Sequence, residues 1–352
     1  HHLTWSSDNE WRHVVSTMTA SSTAAGSRSG PHAVRYTPVH TIYAHTGAVH
    51  VTRYNATGRY LLTGGADQQI RLWNAKTGAP EGRDSRGRSP CIQHYSAHSY
   101  EVLCLDVAPD STRFASGGPD RSVLTWDVAS GQVLRRFNAH TGRVNDVRFS
   151  GAREDGSVLY AAGSDTSVRA YDLRAAGAWR PIWEAQDAHD AILALALTPG
   201  RVHTASVDGA LRTYDMRMGE LRTDVLGEPI TSLSPTHDGT AILASTLDAT
   251  HRLIDMADGT QLQKYMGHMN QSFRCHSSLA SDEAVVLAGD ENGTLFAWDT
   301  LTGRCRFHVR PALEDSSGRS VCMFWTESSP DEAAHEVATA TSSGVLLVWR
   351  GT

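Results

Sequence analysis

The sequence predicts an all-β ring, a seven-bladed β-propeller closed by its N-terminal strand, and three observations carry that reading. The segment Phe114-Ala-Ser-Gly-Gly-Pro-Asp120-Arg-Ser-Val-Leu-Thr-Trp126-Asp127 joins two apolar runs through a Gly-Gly turn that holds an aspartate. His98 lies 22 residues before Asp120 and 28 before Trp126, and His45 repeats both offsets with Asp67 and Trp73. The markers Trp73, Trp126, Tyr171, Tyr214, Ile254, Trp298 and Trp349 are then separated by 53, 45, 43, 40, 44 and 51 residues. Equal spacing in otherwise unlike sequence signals a repeat architecture.

The later markers are found by one ruler, an apolar residue six places after the turn aspartate. Asp165 precedes Tyr171, Asp208 precedes Tyr214, Asp248 precedes Ile254, Asn292 precedes Trp298 and Ser343 precedes Trp349. Periods near 40–45 residues fit the WD-repeat class, in which each unit is a four-stranded antiparallel blade. In such a blade the Asp sits in the turn between the second and third strands. It can bond a His in the loop leading into the first strand, the His can reach a hydroxyl on the second strand, and that hydroxyl can accept the Trp indole N–H. The expected tetrads are His45, Thr63, Asp67 and Trp73, then His98, Ser116, Asp120 and Trp126. Each donor meets an acceptor away from water, so no polar group is orphaned. Elsewhere the pattern decays: Ala161, Ala244 and Ala288 stand at the hydroxyl position, and Asn292 and Ser343 at the Asp.

From the N-terminus, residues 1–35 read as a disordered tail, because Ser, Thr, Ala and Gly dominate from Ser16 to Gly30 and no apolar period persists. The opening His-His without an initiator Met suggests a trimmed or tagged end, Asp8 and Glu10 argue against a transit peptide, and no signal-peptide core is seen. Residues 36–352 form the propeller. Tyr36 to Ala44 alternates like a strand, while Trp349 lies three residues from the C-terminus, leaving the last blade one strand short. The N-terminal strand is expected to complete it, which removes two open sheet edges. The insertion Ala79 to Pro90 carries Arg83, Arg86 and Arg88 and reads as a solvated loop, with Ser85 or Ser89 as candidate phosphorylation sites. Gly151–Ser157 lengthens a turn in the third unit, Pro199-Gly200 shortens one in the fourth, Glu228 stands near the His position of the fifth, and Glu327–Glu336 is an acidic loop in the last.

A net charge of −6 gives no global basic field, so direct nucleic-acid binding is not expected. No apolar run is long enough to span a bilayer. Five scattered cysteines without a Cys-x-x-Cys pair suit reduced thiols, hence a cytoplasmic and nuclear protein, better than disulfides or zinc. His, Ser and Asp recur together, but a hydroxyl that accepts a Trp N–H once per blade is a structural device, not a triad nucleophile. Gly-x-Ser-x-Gly, P-loop, dinucleotide and His-Glu-x-x-His motifs are all missing. The chain therefore reads as a binding scaffold with no enzymatic activity, cofactor or metal, a monomer within larger complexes.

Several segments resemble one family in particular, the mitogen-activated protein kinase organizer family of WD-repeat proteins. They are Ser99-Tyr-Glu-Val-Leu103, Leu124-Thr-Trp-Asp-Val-Ala-Ser-Gly-Gln-Val-Leu-Arg-Arg-Phe137, Tyr214-Asp-Met-Arg-Met-Gly219, Gly227-Glu-Pro-Ile-Thr231, Ser245-Thr-Leu-Asp-Ala-Thr-His-Arg-Leu-Ile-Asp255 and Gly267-His-Met-Asn-Gln271. The likeness runs from about Val39 to Asp299. It implies a scaffold for kinase-cascade components, in a family also found in spliceosomal complexes of pre-mRNA splicing. The tail and the 79–90 insertion depart from the family's shorter form. A second class is a substrate receptor of a cullin–RING ubiquitin ligase, because Tyr171-Asp-Leu-Arg174 and Tyr214-Asp-Met-Arg217 resemble its WD-x-Arg docking boxes; the simpler reading, which the sequence favours, is that Arg174 and Arg217 are solvated turn arginines.

A protein partner is expected on the face that carries the Asp turns. Side chains three and five places after each His should crown it: Ala48 and His50, Glu101 and Leu103, Arg143 and Asn145. Tyr100, Gln271 and Arg319 add aromatic, amide and basic groups suited to peptide capture.

Overall fold

The computed structural model describes residues 35–78, 89–151, 156–174, 179–313 and 321–351. Residues 1–34 of the proposed tail, Ser85 and Arg319 lie outside those residues.

Period-2 apolar runs punctuated by turn residues give twenty-eight strands among the described residues, and no helix. After β1 (Tyr36–Tyr43), blade one is β2 (Val49–Tyr54), β3 (Tyr60–Gly65), β4 (Ile70–Asn74) and β5 (Gln93–Tyr95). Blade two holds β6 (Cys104–Val107), β7 (Arg113–Gly117), β8 (Val123–Asp127) and β9 (Val133–Phe137). Blade three holds β10 (Val144–Phe149), β11 (Val158–Gly163), β12 (Val168–Asp172) and β13 (Trp183–Ala185). Blade four holds β14 (Ile192–Thr198), β15 (Arg201–Ser206), β16 (Ala210–Asp215) and β17 (Glu220–Val225). Blade five holds β18 (Ile230–Pro235), β19 (Ala241–Thr246), β20 (Thr250–Asp255) and β21 (Gln261–Tyr265). Blade six holds β22 (Ser277–Leu279), β23 (Val285–Gly289), β24 (Leu295–Asp299) and β25 (Cys305–Val309). Blade seven holds β26 (Met323–Ser328), β27 (Glu336–Thr341) and β28 (Val345–Gly351).

Each blade is a four-stranded antiparallel sheet, and the seventh has the order β1-β28-β27-β26. The chain's first strand therefore completes its last blade, with Tyr36 opposite Gly351 and Tyr43 opposite Val345. Ile42 anchors this closure at 1% exposure, in one apolar cluster with Leu346, Val348 and Trp73. The seam is reinforced by Lys76 of blade one, which pairs with Asp331 at 3.0 Å and Glu336 at 3.5 Å in the acidic loop of blade seven.

The second to fourth strands bury large side chains between blades: Trp73, Trp126, Trp298 and Trp349 are all at most 1% exposed. All five cysteines are free thiols. Ring closure therefore rests on packing and hydrogen bonds.

Candidate protein-binding face

Both expected tetrads are assembled. His45 Nδ1 lies 2.7 Å from Asp67, its Nε2 lies 2.8 Å from Thr63 Oγ1, and Trp73 Nε1 donates to the same hydroxyl at 2.9 Å. In blade two the distances are 2.7 Å for His98–Asp120, 2.7 Å for His98–Ser116 and 2.8 Å for Trp126–Ser116. A carboxylate only accepts, so Nδ1 carries the hydrogen and Nε2 accepts the hydroxyl proton, while the hydroxyl oxygen accepts the indole N–H. Burial pushes the Asp67 and Asp120 carboxyls up, but the histidine hydrogen bonds outweigh it and hold both below the usual range. Ser116 is fully buried with both of these bonds made, so it has no approach for a substrate and no free hydroxyl.

The aspartate has a second task. One of its oxygens accepts a backbone N–H from the loop before the first strand, from Thr46, Ser99, Thr141 and His189 in blades one to four. That explains why Asp208 persists where the His–hydroxyl–Trp relay is gone. The sequence reading missed a second partner of the turn aspartate, an arginine four residues after it, which stands beside an intact relay in blade one and without one in blades four and five. Arg71, Arg169, Arg212 and Arg252 pair with Asp67, Asp165, Asp208 and Asp248 at 3.2, 2.8, 2.7 and 2.5 Å. Asp-x-x-x-Arg was visible as a spacing, because positions four and six after the turn share one face of the third strand.

In blade three His140 reaches Asp165 at 3.1 Å, but with alanine at 161 its Nε2 has no partner among the described residues. In blade six the turn acid is Asp290, which accepts from the backbone of Asn292 and Thr294, and Trp298 donates to the Met266 carbonyl at 3.0 Å. Blade seven keeps half the relay, Trp349 donating to Thr339 at 2.9 Å.

Inside the ring, polar side chains bond the innermost strands of other blades. Arg53 reaches Leu105 O and Glu327, Asp106 accepts Phe149 N–H, and Asp146 accepts Leu195 N–H. Arg274 donates to Thr231 O at 3.1 Å and to Asn145 O at 2.8 Å, and His276 sits 3.0 Å from Thr326 O. Such paired groups fix the channel wall and hold the face above it still.

That face carries a continuous arc of side chains. Phe273, 49% exposed, meets Phe324 edge-to-face at 5.7 Å. Phe324 lies 6.0 Å from His50, and His50 Nε2 donates to Glu101 at 2.8 Å. Tyr100 stands beside Glu101, 60% exposed. The loop presenting Phe273 is pinned by Glu291, whose Oε1 accepts the N–H groups of Gln271, Ser272 and Phe273 at 2.7, 2.5 and 2.9 Å. Arg143 is exposed, with Nε on Ser164 at 3.1 Å, and Gln271 is exposed. Asn145 is 3% exposed and bonds Ser164 and the Ile192 carbonyl, so it supports the face from below. Phe273 escaped the sequence reading because the loop after His268 is two residues longer than that after His45, which shifts the ruler, and Phe324 because blade seven has Arg319 where the ruler needs a His.

Outside this face, Ser89 accepts the Tyr43 N–H at 3.2 Å and its own N–H bonds Tyr43 O. Arg174 is exposed and pairs with Asp172 at 3.0 Å, and Arg217 is exposed on the opposite face.

A closed ring of four-stranded blades bolted by Asp–His–hydroxyl–Trp relays defines a WD-repeat propeller, a protein-interaction scaffold. The family model described as WD domain, G-beta repeat matches residues 36–74, 89–127 and 131–172. The chain is 37% identical over 312 residues to WD repeat domain-containing protein 83 of Xenopus tropicalis, covering 89% of this chain and 91% of that protein. It is 36% identical over 257 residues to the protein of that name in Homo sapiens, covering 73% and 77%. With the Dictyostelium discoideum homolog it shares 29% identity over 334 residues, 87% and 95% of the two chains. The chain belongs to the WD repeat domain-containing protein 83 family.

Proposed function

We propose that this chain gathers kinase-cascade components on its aspartate-turn face, and that it also serves spliceosomal assembly in pre-mRNA splicing, acting in cytoplasm and nucleus. The observation that carries the reading is the arc Phe273–Phe324–His50–Glu101–Tyr100, in which exposed Phe273 and Tyr100 flank half-buried Phe324, His50 and Glu101 on a closed ring. Aromatic anchors with a polar surround suit capture of a protein segment. The resemblance of Tyr214-Asp-Met-Arg-Met-Gly219 and its neighbours to the kinase organizer family supplies the class of partner.

Affinity purification from nuclear and cytosolic extracts tests it, comparing the native chain with Tyr100→Ala/Arg143→Glu and with Phe273→Ala. Kinase-cascade or splicing proteins should co-elute with the native chain and be lost from both variants at unchanged melting temperature. Retention by both variants would move the site off this face. Capture of a cullin–RING adaptor, abolished by Arg217→Ala, would instead favour the ligase reading.

A further inference from the structure

On the face opposite the aspartate turns, the loop between the first and second strands is five residues or longer in six blades, and two residues in blade four. That short turn is Pro199-Gly200, with Gly200 at φ +76°. Proline presets the first central position of such a turn, and a glycine at positive φ supplies the second. Thr198 and Arg201 are thus directly paired. Blade four stops short of its neighbours, leaving a notch of about 480 Å³ between blades three and five.

Its walls are mostly apolar, from Phe149, Tyr160, Leu197, Pro199, Met216 and Pro235. Its rim is cationic. Arg201 shares Asp215 at 3.4 Å and is 43% exposed, and the aliphatic stem of Arg217 passes over Gly200. The Arg217 guanidinium has no ion pair among the described residues. Arg148 also lines the notch but is held by Asp146 at 3.0 Å. His237 completes the rim, its N–H donated to Glu283, with Asp238 turned onto Thr236 and Thr240.

We propose that this notch is a second docking site, independent of the aspartate-turn face, for a protein segment carrying one bulky apolar side chain flanked by carboxylates. Charge complementarity selects that occupant: the apolar walls take the side chain, while Arg201 and Arg217 stand where flanking carboxylates would lie. The volume falls in the range of specific pockets and exceeds what one aromatic side chain needs.

The test uses a fluorescent Gly-Glu-Asp-Phe-Glu-Asp-Gly peptide titrated by polarisation against the full chain. The comparison variants are Arg201→Glu/Arg217→Glu and Gly151→Trp. Gly151 lines the notch and has open space where a Cβ would be, so a tryptophan there adds bulk at the notch without a clash at its Cβ. The proposal expects saturable binding to the native chain, weakened by about tenfold or more in each variant at unchanged melting temperature, and about tenfold weaker for a peptide with lysines in place of its acids. Equal affinity for all three proteins overturns it, as does a lack of saturation up to about 1 mM peptide. Concentration-dependent self-association that both variants abolish would show the occupant to be a second copy, and also overturns it.

Discussion

Replacing Ser116 by alanine removes the atom that joins the relay of blade two. The Ser116 hydroxyl accepts from Trp126 and pairs with His98 Nε2, and exposures of 0, 1 and 7% leave no water to take its place. Two buried groups lose their partner, each worth about 1–3 kcal/mol when left unsatisfied, so the expected loss is roughly 2–5 kcal/mol. In a chain of this size that lowers the melting temperature by about 3–7 °C. Urea unfolding followed by tryptophan fluorescence measures it, with hydrogen exchange locating the change in β6–β9. Ser99→Ala is the control, because Ser99 is exposed in the same blade and only its backbone N–H meets Asp120. That variant should stay within about 0.5 kcal/mol of the native chain. If Ser116→Ala were equally mild, the relay would be decoration and closure would rest on apolar packing alone.

Other outcomes follow from the same geometry. Ala161→Ser should stabilise blade three by about 1 kcal/mol, read as a shift in urea midpoint, because it offers a partner to the orphaned His140 Nε2. Arg212→Met should cost about 3–5 kcal/mol by stranding Asp208, whereas Arg174→Met on the surface should leave the urea midpoint where it was. Deleting residues 36–44 should cause unfolding or aggregation, seen by light scattering, because β28 would become an open edge. Stability should also fall in acid. Burial pushes the His268 imidazole down to about 4 and His203 to about 3, and holds His251 and His276 well below the usual range. Folded values below the unfolded value near 6.5 mean that the unfolded chain binds protons first. Their contribution is therefore complete above about pH 6.5 and lost as the pH drops towards 4. A urea midpoint unchanged between pH 7 and pH 5 would contradict this, and His268→Asn should flatten the slope.

The fold was legible because its signal repeats. Seven markers and a strand-short last blade sufficed for ring closure, and the tetrads of blades one and two were readable from two equal offsets. The rest was hidden for physical reasons. In blade six the turn carboxylate belongs to Asp290, two residues before the Asn292 that the ruler selects, and the loop before the first strand is longer, so Phe273 fell off the register; in blade seven no His starts the ruler, which hid Phe324. The arginines four residues after the turn aspartates are ordinary charged residues until a structure puts them beside those carboxylates. Asn145 shows the converse error: a polar residue at a face-forming position can be turned inward when a neighbouring blade offers a carbonyl.

The proposed function puts other proteins on one face of a closed ring. Hydrogen–deuterium exchange on the complex recovered from cell extract, against the free chain, measures this most directly. Slowed exchange should map to the loops at Ser99–Glu101 and Met269–Phe273, with the channel strands unchanged. Unaltered exchange in those loops would contradict it.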